Sequence, residues 1–286
     1  MSTRATQTLH TGRTIPQFAL GVYAIHADET AAAVQDAFQV GYRHVDTARV
    51  YGNEKESAQG VARFLKQHPE VSRQDVYFTT KIWSHEFEYK TAMRAIQDSV
   101  DNAKEIEYID LFLVHTPAST KQKRLEVYRA LQDSVDKGFI KDIGVSNYGI
   151  AHLQELLDWD GLRYKPVVNQ IEINPWLQRN KEVEFCRQHK IAVESYSPLM
   201  LGRRFHEPEL LKLAHKYKCS AAQILLKWNL QKGYIPLPKS GNPQRIRENF
   251  NLDDIELTDS ELESLGDANE HFMAAGGPDP LQSGLN

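Results

Sequence analysis

Eight short apolar runs recur along this chain, and each leads into a segment of helical period. The runs are Ala19–Tyr23, the strand ending at Asp46, Val76–Lys81, Ile109–His115, Ile140–Val145, Val167–Ile171, Ile191–Ser195 and Ile235–Leu237. Mostly apolar strands separated by helices belong to a parallel sheet covered on its outer face. The intervening segments carry apolar residues at helical spacing, as in Val34, Ala37 and Phe38, or Leu125, Tyr128, Leu131 and Val135. Asp28 reads as the cap of the first helix and Gly41 as its stop. Eight such units favour a closed barrel over an open doubly wound sheet, and no Gly-x-Gly-x-x-Gly follows an early strand.

The expected fold is therefore α/β, a (β/α)8 TIM barrel. An N-terminal β-hairpin is expected within Thr8–Leu20, around a Thr-Gly-Arg turn. Extra C-terminal helices are expected after Pro243 and after the capping box Thr258-Asp-Ser-Glu261. No linker or low-complexity tract interrupts the pattern, so residues 1–286 read as a single barrel catalytic domain. The Gly- and Pro-rich tail after Met273 is expected to be irregular and mobile.

Composition narrows the partners. A formal net charge of −4 argues against nucleic acid or an anionic membrane as the main partner. No apolar run approaches the ~20 residues that span a bilayer. The N-terminus lacks the apolar core of a secretory signal. Cys186 and Cys219, each inside a helical pattern, read as free thiols in a reducing, cytoplasmic setting. A monomer acting on a small molecule is the expectation.

In barrels of this kind the chemistry lies at the carboxyl ends of the strands. Asp46, Lys81 and His115 end the second, third and fourth strands, and Tyr51 lies on the loop after Asp46. Adjacent strands are about 4.8 Å apart, so these four side chains can converge. A free tyrosine ionises near 10; a lysine ammonium beside it favours the phenolate and lowers that value. Asp46 can keep Lys81 charged and aimed, and neutral His115 can orient a carbonyl oxygen. Such a set suits hydride delivery to a carbonyl, with Tyr51 as general acid, and the hydride must come from a cofactor. The plainer alternative makes Asp46 a loop cap and Lys81 its structural partner. His44-x-Asp46 also invites a metal site, but no further histidine cluster at strand ends completes one, so no metal is expected.

Two cofactor ends can be read. After the last strand, Lys239, Ser240 and Arg245 offer two cations and a hydroxyl before a short helix, which suits the 2′-phosphate of NADPH (NADP+). Glu248 and Asn249 could bond an adenine edge. A solvated basic helix start explains the same residues without a ligand. At the other end, Tyr196 offers a flat face for a nicotinamide, and Ser146, Asn147 and Gln170 carry groups that a carboxamide needs; each could instead satisfy loop backbone. Tyr23 and Trp83 could wall a substrate pocket.

These residues resemble the aldo-keto reductase superfamily. Gly-Tyr-Arg-His-Val-Asp-Thr-Ala followed by Tyr-Gly-Asn-Glu, then Asp-Leu-Phe-Leu-Val-His, Gly-Val-Ser-Asn, Asn-Gln-Ile-Glu-Ile-Asn-Pro and Pro-Lys-Ser…Arg-Ile-Arg-Glu-Asn stand in the family's order, from about Leu9 to Leu265. The resemblance implies a barrel that binds NADPH without a Rossmann fold. It implies Tyr51 as general acid tuned by Lys81 and Asp46, and His115 orienting the carbonyl of an aldehyde, ketone or aldose. It implies cofactor contacts at Gly21, Val22, Asp46, Ser146, Asn147, Gln170, Tyr196, Ser197, Leu199, Lys239, Ser240, Arg245, Glu248 and Asn249, and substrate contacts at Tyr23, Trp83 and His115. Tyr23 replaces a tryptophan common in the family. The short segment after Leu199 argues against a long clamp over the pyrophosphate, and the short tail suggests an open pocket. The competing class is a non-catalytic NADP(H)-binding regulatory subunit, resembling the β subunits of potassium channels. A metal-dependent barrel hydrolase is a third reading. The complete Asp46, Tyr51, Lys81 and His115 set favours the reductase.

Overall fold

A computed structural model describes residues 2–285. The chain opens with a hairpin of β1 (Thr6–Thr8) and β2 (Thr14–Pro16). Eight parallel strands follow: β3 (Leu20–Gly21), β4 (His44–Asp46), β5 (Tyr77–Ile82), β6 (Ile109–Val114), β7 (Ile140–Ser146), β8 (Val168–Glu172), β9 (Ala192–Tyr196) and β10 (Ile235–Leu237). They pair in chain order. The barrel closes where the Ala19 and Gly21 amides donate to the carbonyls of Pro236 and Pro238 at 3.2 and 3.0 Å. A Cβ on Gly21 would lie 3.1 Å from the Leu237 carbonyl oxygen, so this seam favours glycine.

Helices α1 (Ala27–Val40), α2 (Glu54–Gln67), α3 (Tyr89–Asn102), α4 (Lys121–Asp136), α5 (Ile150–Leu157) and α6 (Asn180–Gln188) each follow one strand. Both α7 (Pro208–Tyr217) and α8 (Ala221–Gln231) follow β9, and α9 (Pro243–Phe250) and α10 (Asp259–Ser264) follow β10. Strand alternation divides the core. Along β6, Leu111 and Leu113 join an inner cluster with Ile15 and Leu9 of the hairpin, whereas Phe112 and Val114 pack outward with the helices. The hairpin thus closes the end of the barrel where the strands begin, and leaves the carboxyl ends for the site.

The chain differs from its sequence pattern in four places. The first barrel strand is only two residues long, because the backbone turns at Ala24, with φ 55°. Helix α1 is preceded by His26 at its cap, and Asp28 sits in the first turn, where its charge still favours the helix dipole. Cys219 lies between α7 and α8 rather than within a helix. The tail is irregular, but it is fastened rather than loose. Phe272 donates its amide to the Trp176 carbonyl at 2.9 Å, and Arg179 makes a two-pronged pair with Asp279 at 2.6 and 2.9 Å. His152 meets the Ser283 carbonyl at 2.9 Å, and Leu281 is fully buried against Gly149. None of these partners is close in sequence, so composition alone could not reveal them.

Leu281→Ala should therefore cost roughly 2–5 kcal/mol of unfolding free energy, the scale of a buried leucine. Urea melts check this, and a change under about 0.5 kcal/mol, the scale of a surface substitution, would show that the tail is not part of the packed core.

Candidate active site

Strand β4 ends in Asp46, and the chain then makes a 3-10 turn over Arg49–Tyr51. Contacts on both sides pin that turn. Asn53 donates its side-chain amide to the Val22 and Ile25 carbonyls at 2.9 and 3.1 Å and accepts from Thr47 Oγ1 at 2.8 Å. Arg49 pairs with Glu86 at 2.8 Å and donates to the Ala95 carbonyl at 2.7 Å. Gly52 takes φ 70°, a left-handed turn that glycine adopts without strain. Tyr51 is thereby fixed over the barrel mouth.

Lys81 is wholly buried, and its Nζ donates to Asp46 Oδ1 at 2.6 Å and to the Thr47 carbonyl at 2.8 Å. Nζ also stands 5.0 Å from the centre of the Tyr51 ring. Burial by itself favours a neutral amine, but Asp46 and Tyr51 overcome it, and the ammonium is held above the ordinary lysine range. Tyr51 corrects a sequence expectation. Burial pushes its hydroxyl above the usual value of 10, and the neighbouring Lys81 only opposes that rise. At neutral pH the group is a fully protonated phenol. His115 stands edge-on to Tyr51 with ring centres 5.6 Å apart, and edge-on to Trp83 at 4.7 Å. Burial and the Lys81 charge press its ionisation well below 6.5, so the imidazole is neutral. Tyr23 is 63% exposed and lies edge-on to Tyr51 with centres 5.0 Å apart.

The neighbouring strand ends form a continuous polar surface. Ser146 Oγ donates to the Gln170 carbonyl at 2.8 Å, Asn147 Nδ2 donates to the His115 carbonyl at 3.0 Å, and Tyr196 donates its hydroxyl to Asn147 Oδ1 at 2.9 Å. Asn147 and Ser197 both take left-handed backbone, φ 62° and 50°. Gln170 Nε2 donates to Asp46 Oδ2 at 2.8 Å, joining this surface to the quartet. Gly21 and Val22 are buried at the β3 end, and Leu199 is half-buried after β9. A second cluster opens α9. Lys239 and Arg245 are exposed, Ser240 is buried, and Asn242 caps the helix by accepting from the Arg245 amide at 3.0 Å. Glu248 and Asn249 lie a turn further on, half-buried and buried.

The structure thus brings Asp46, Tyr51, Lys81, His115 and Trp83 together, with Gln170, Ser146, Asn147 and Tyr196 beside them. Four contributors escaped the sequence reading: Thr47, Asn53, Asn242 and Glu194, whose Oε2 accepts from Gln170 Nε2 at 2.7 Å. Thr47 and Asn53 lie within or beside the quoted motifs, so their signal was present without an assigned role. His44 does not join a metal set; its Nε2 meets Thr79 Oγ1 at 2.8 Å. Among the described residues no three His, Cys, Asp or Glu side chains gather to hold an ion, and no helix is long and apolar enough to cross a membrane.

Residues 17–270 match the model of the aldo/keto reductase family. An uncharacterized oxidoreductase of Saccharomyces cerevisiae is 42% identical over 258 residues, covering 90% of this chain and 92% of its own length. A glycerol 2-dehydrogenase (NADP(+)) of Hypocrea jecorina is 39% identical, covering 91% and 90%. Among solved structures, a Bombyx mori aldo-keto reductase in complex with NADP superposes with a TM-score of 0.87 at 34% identity, covering 96% of this chain and 95% of that one.

The Lys81–Asp46 pair generates a stability prediction. Lys81→Met should destabilise the protein by about 3–5 kcal/mol at neutral pH, because it leaves Asp46 buried and unpaired. Denaturant melts at neutral pH check this; a loss under about 1 kcal/mol, the scale of an exposed ion pair, would contradict it.

Proposed function

This chain belongs to the aldo/keto reductase family, and from that premise we propose that it is an NADPH-dependent reductase of aldehydes, ketones or aldoses. The observation that carries the reading is the placement of the buried Lys81 ammonium, 2.6 Å from Asp46 and 5.0 Å from the Tyr51 ring centre, with neutral His115 edge-on to the same ring.

The donor set fits the cofactor. Exposed Lys239 and Arg245 beside the first-turn amides of α9 suit a phosphomonoester, which favours NADPH over NADH. Tyr196 offers an aromatic face beside Asn147, Ser146 and Gln170 for a carboxamide ring. When bound, the nicotinamide supplies the hydride that this chain's own groups lack. The remaining work falls to the protein. Neutral His115 donates a hydrogen bond to the substrate carbonyl and fixes its oxygen near Tyr51. As charge grows on that oxygen, Tyr51 gives it the phenolic proton, and the resulting alcohol leaves. Lys81 stabilises the phenolate so formed, and Asp46 keeps Lys81 charged in a site that would otherwise strip its proton. A phenol raised by burial and opposed by an adjacent ammonium stays loaded at neutral pH and can still release its proton when the oxyanion demands it.

Tyr51→Phe should leave NADPH binding nearly intact and lower turnover of a reactive aldehyde by at least ~10², the general-acid scale. Unchanged turnover removes Tyr51 from its role, and wild-type protein inert over a broad aldehyde panel favours the regulatory-subunit reading. Lys239→Ala and Arg245→Ala should each weaken NADPH more than NADH in direct binding titrations; equal weakening refutes the 2′-phosphate assignment.

A further inference from the structure

One buried carboxyl beneath the quartet has no part in the scheme above. Glu194, fully buried on β9, pairs in register with Gln170 of β8. The Gln170 side-chain amide spends both of its hydrogens on carboxyls, one on Asp46 Oδ2 at 2.8 Å and one on Glu194 Oε2 at 2.7 Å. Two carboxyls thus share one neutral donor. The ammonium that meets them is Lys81, and it is committed to Asp46 at 2.6 Å. Among the described residues, the titratable groups facing Glu194 besides Lys81 and Asp46 are uncharged. His44, 3.9 Å from Glu194 Oε1, is held neutral by burial, with its ionisation lowered to about 3. Tyr77 is a buried phenol pushed well above its usual value, first by burial. Glu194 Oε1 has no hydrogen-bond partner among the described residues, which suits a carboxylic acid far better than a buried anion.

Resting on the reductase reading, we propose that Glu194 is a positioning residue that serves as a neutral carboxylic acid, holding the Gln170 amide with its nitrogen toward Asp46 and its oxygen toward the cofactor, and that ionising Glu194 turns the reduction down. One cation and two carboxyls accommodate a single negative charge, and Lys81 assigns it to Asp46. Burial and the Asp46 charge accordingly push the Glu194 carboxyl from 4.5 up to about 8. Above that point a second anion faces Lys81 and Asp46. It offsets the ammonium field that stabilises the Tyr51 phenolate, so proton release from Tyr51 becomes harder.

Glu194→Gln keeps an acceptor oxygen for Gln170 and cannot ionise. A carboxyl raised by folding contributes stability that is present below its unfolded value and lost as pH rises through the folded value. The thermal midpoint of the wild type should therefore fall relative to that of Glu194→Gln as pH climbs from the ordinary glutamate range, and the gap should level off above about 8. A gap that is constant with pH overturns the neutral-acid assignment, and this readout needs no turnover. In steady-state reduction, wild-type kcat should drop up to roughly tenfold as pH passes through about 8, where Glu194 ionises in the folded protein, the effect of about one pKa unit on the acid. Glu194→Gln should lack that limb; the same limb in both proteins overturns the inference. Glu194→Leu, which removes the acceptor too, should raise the KM for NADPH several-fold more than Glu194→Gln, and an equal rise overturns the hold on Gln170. A wild type with no turnover at all overturns the reductase reading instead, and the melting comparison still decides the charge of Glu194.

Discussion

A lysine ammonium buried at the mouth of a barrel has to be paid for, and the rest of this site follows from how that is done. Removing such a charge from water costs several kcal/mol even after relaxation. Lys81 recovers this through Asp46 at 2.6 Å and the Thr47 carbonyl at 2.8 Å. Asp46 in turn needs a second donor for its other oxygen, and Gln170 supplies it from across the barrel. The ammonium that results faces the Tyr51 ring on one side and, on another, adds to the burial that keeps His115 neutral. One ion pair held by three strands thus sets a charge beside a phenol and an imidazole that burial keeps uncharged.

The barrel makes that pair affordable in geometry. Asp46 and Lys81 come from the neighbouring strands β4 and β5, Gln170 and Glu194 from β8 and β9, and the two pairs meet because the sheet closes on itself. The loops then fix what the strands deliver. Asn53 ties the Tyr51 turn to the chain after β3, and Arg49 ties it to the segments before and within α3. Tyr51 is therefore carried on a loop with little freedom of its own, as the proposed role of a proton donor requires.

Much of this was legible in the residues. The strand–helix alternation carried the fold because short apolar runs and a period of 3.6 survive in any single sequence. The quartet was legible because each member stands at a strand end or on the loop after one, and the local order of motifs preserves that. What stayed hidden depends on contacts across the fold. Glu194 reads as an unremarkable polar residue inside an apolar strand until the pairing of β8 with β9 sets it beside Gln170 and closure sets Asp46 opposite. The tail reads as loose because Gly and Pro carry no pattern, yet Arg179, Glu172 and His152 hold it through contacts about 100 residues or more apart in the chain. The direction of the Tyr51 ionisation also escaped, since charge proximity can be guessed from spacing but the depth of burial cannot. The exposure of Tyr23, beside an otherwise closed ring of side chains, was hidden for the same reason.

The most direct probe of the Lys81 field is the ionisation of Tyr51 itself, followed by nuclear magnetic resonance in protein carrying carbon-13 tyrosine, with the Tyr51 signal assigned through Tyr51→Phe. The account predicts that Tyr51 becomes a phenolate at lower pH in the wild type than in Lys81→Met. A Tyr51 titration that is the same in both proteins, or lower without the lysine, would contradict it.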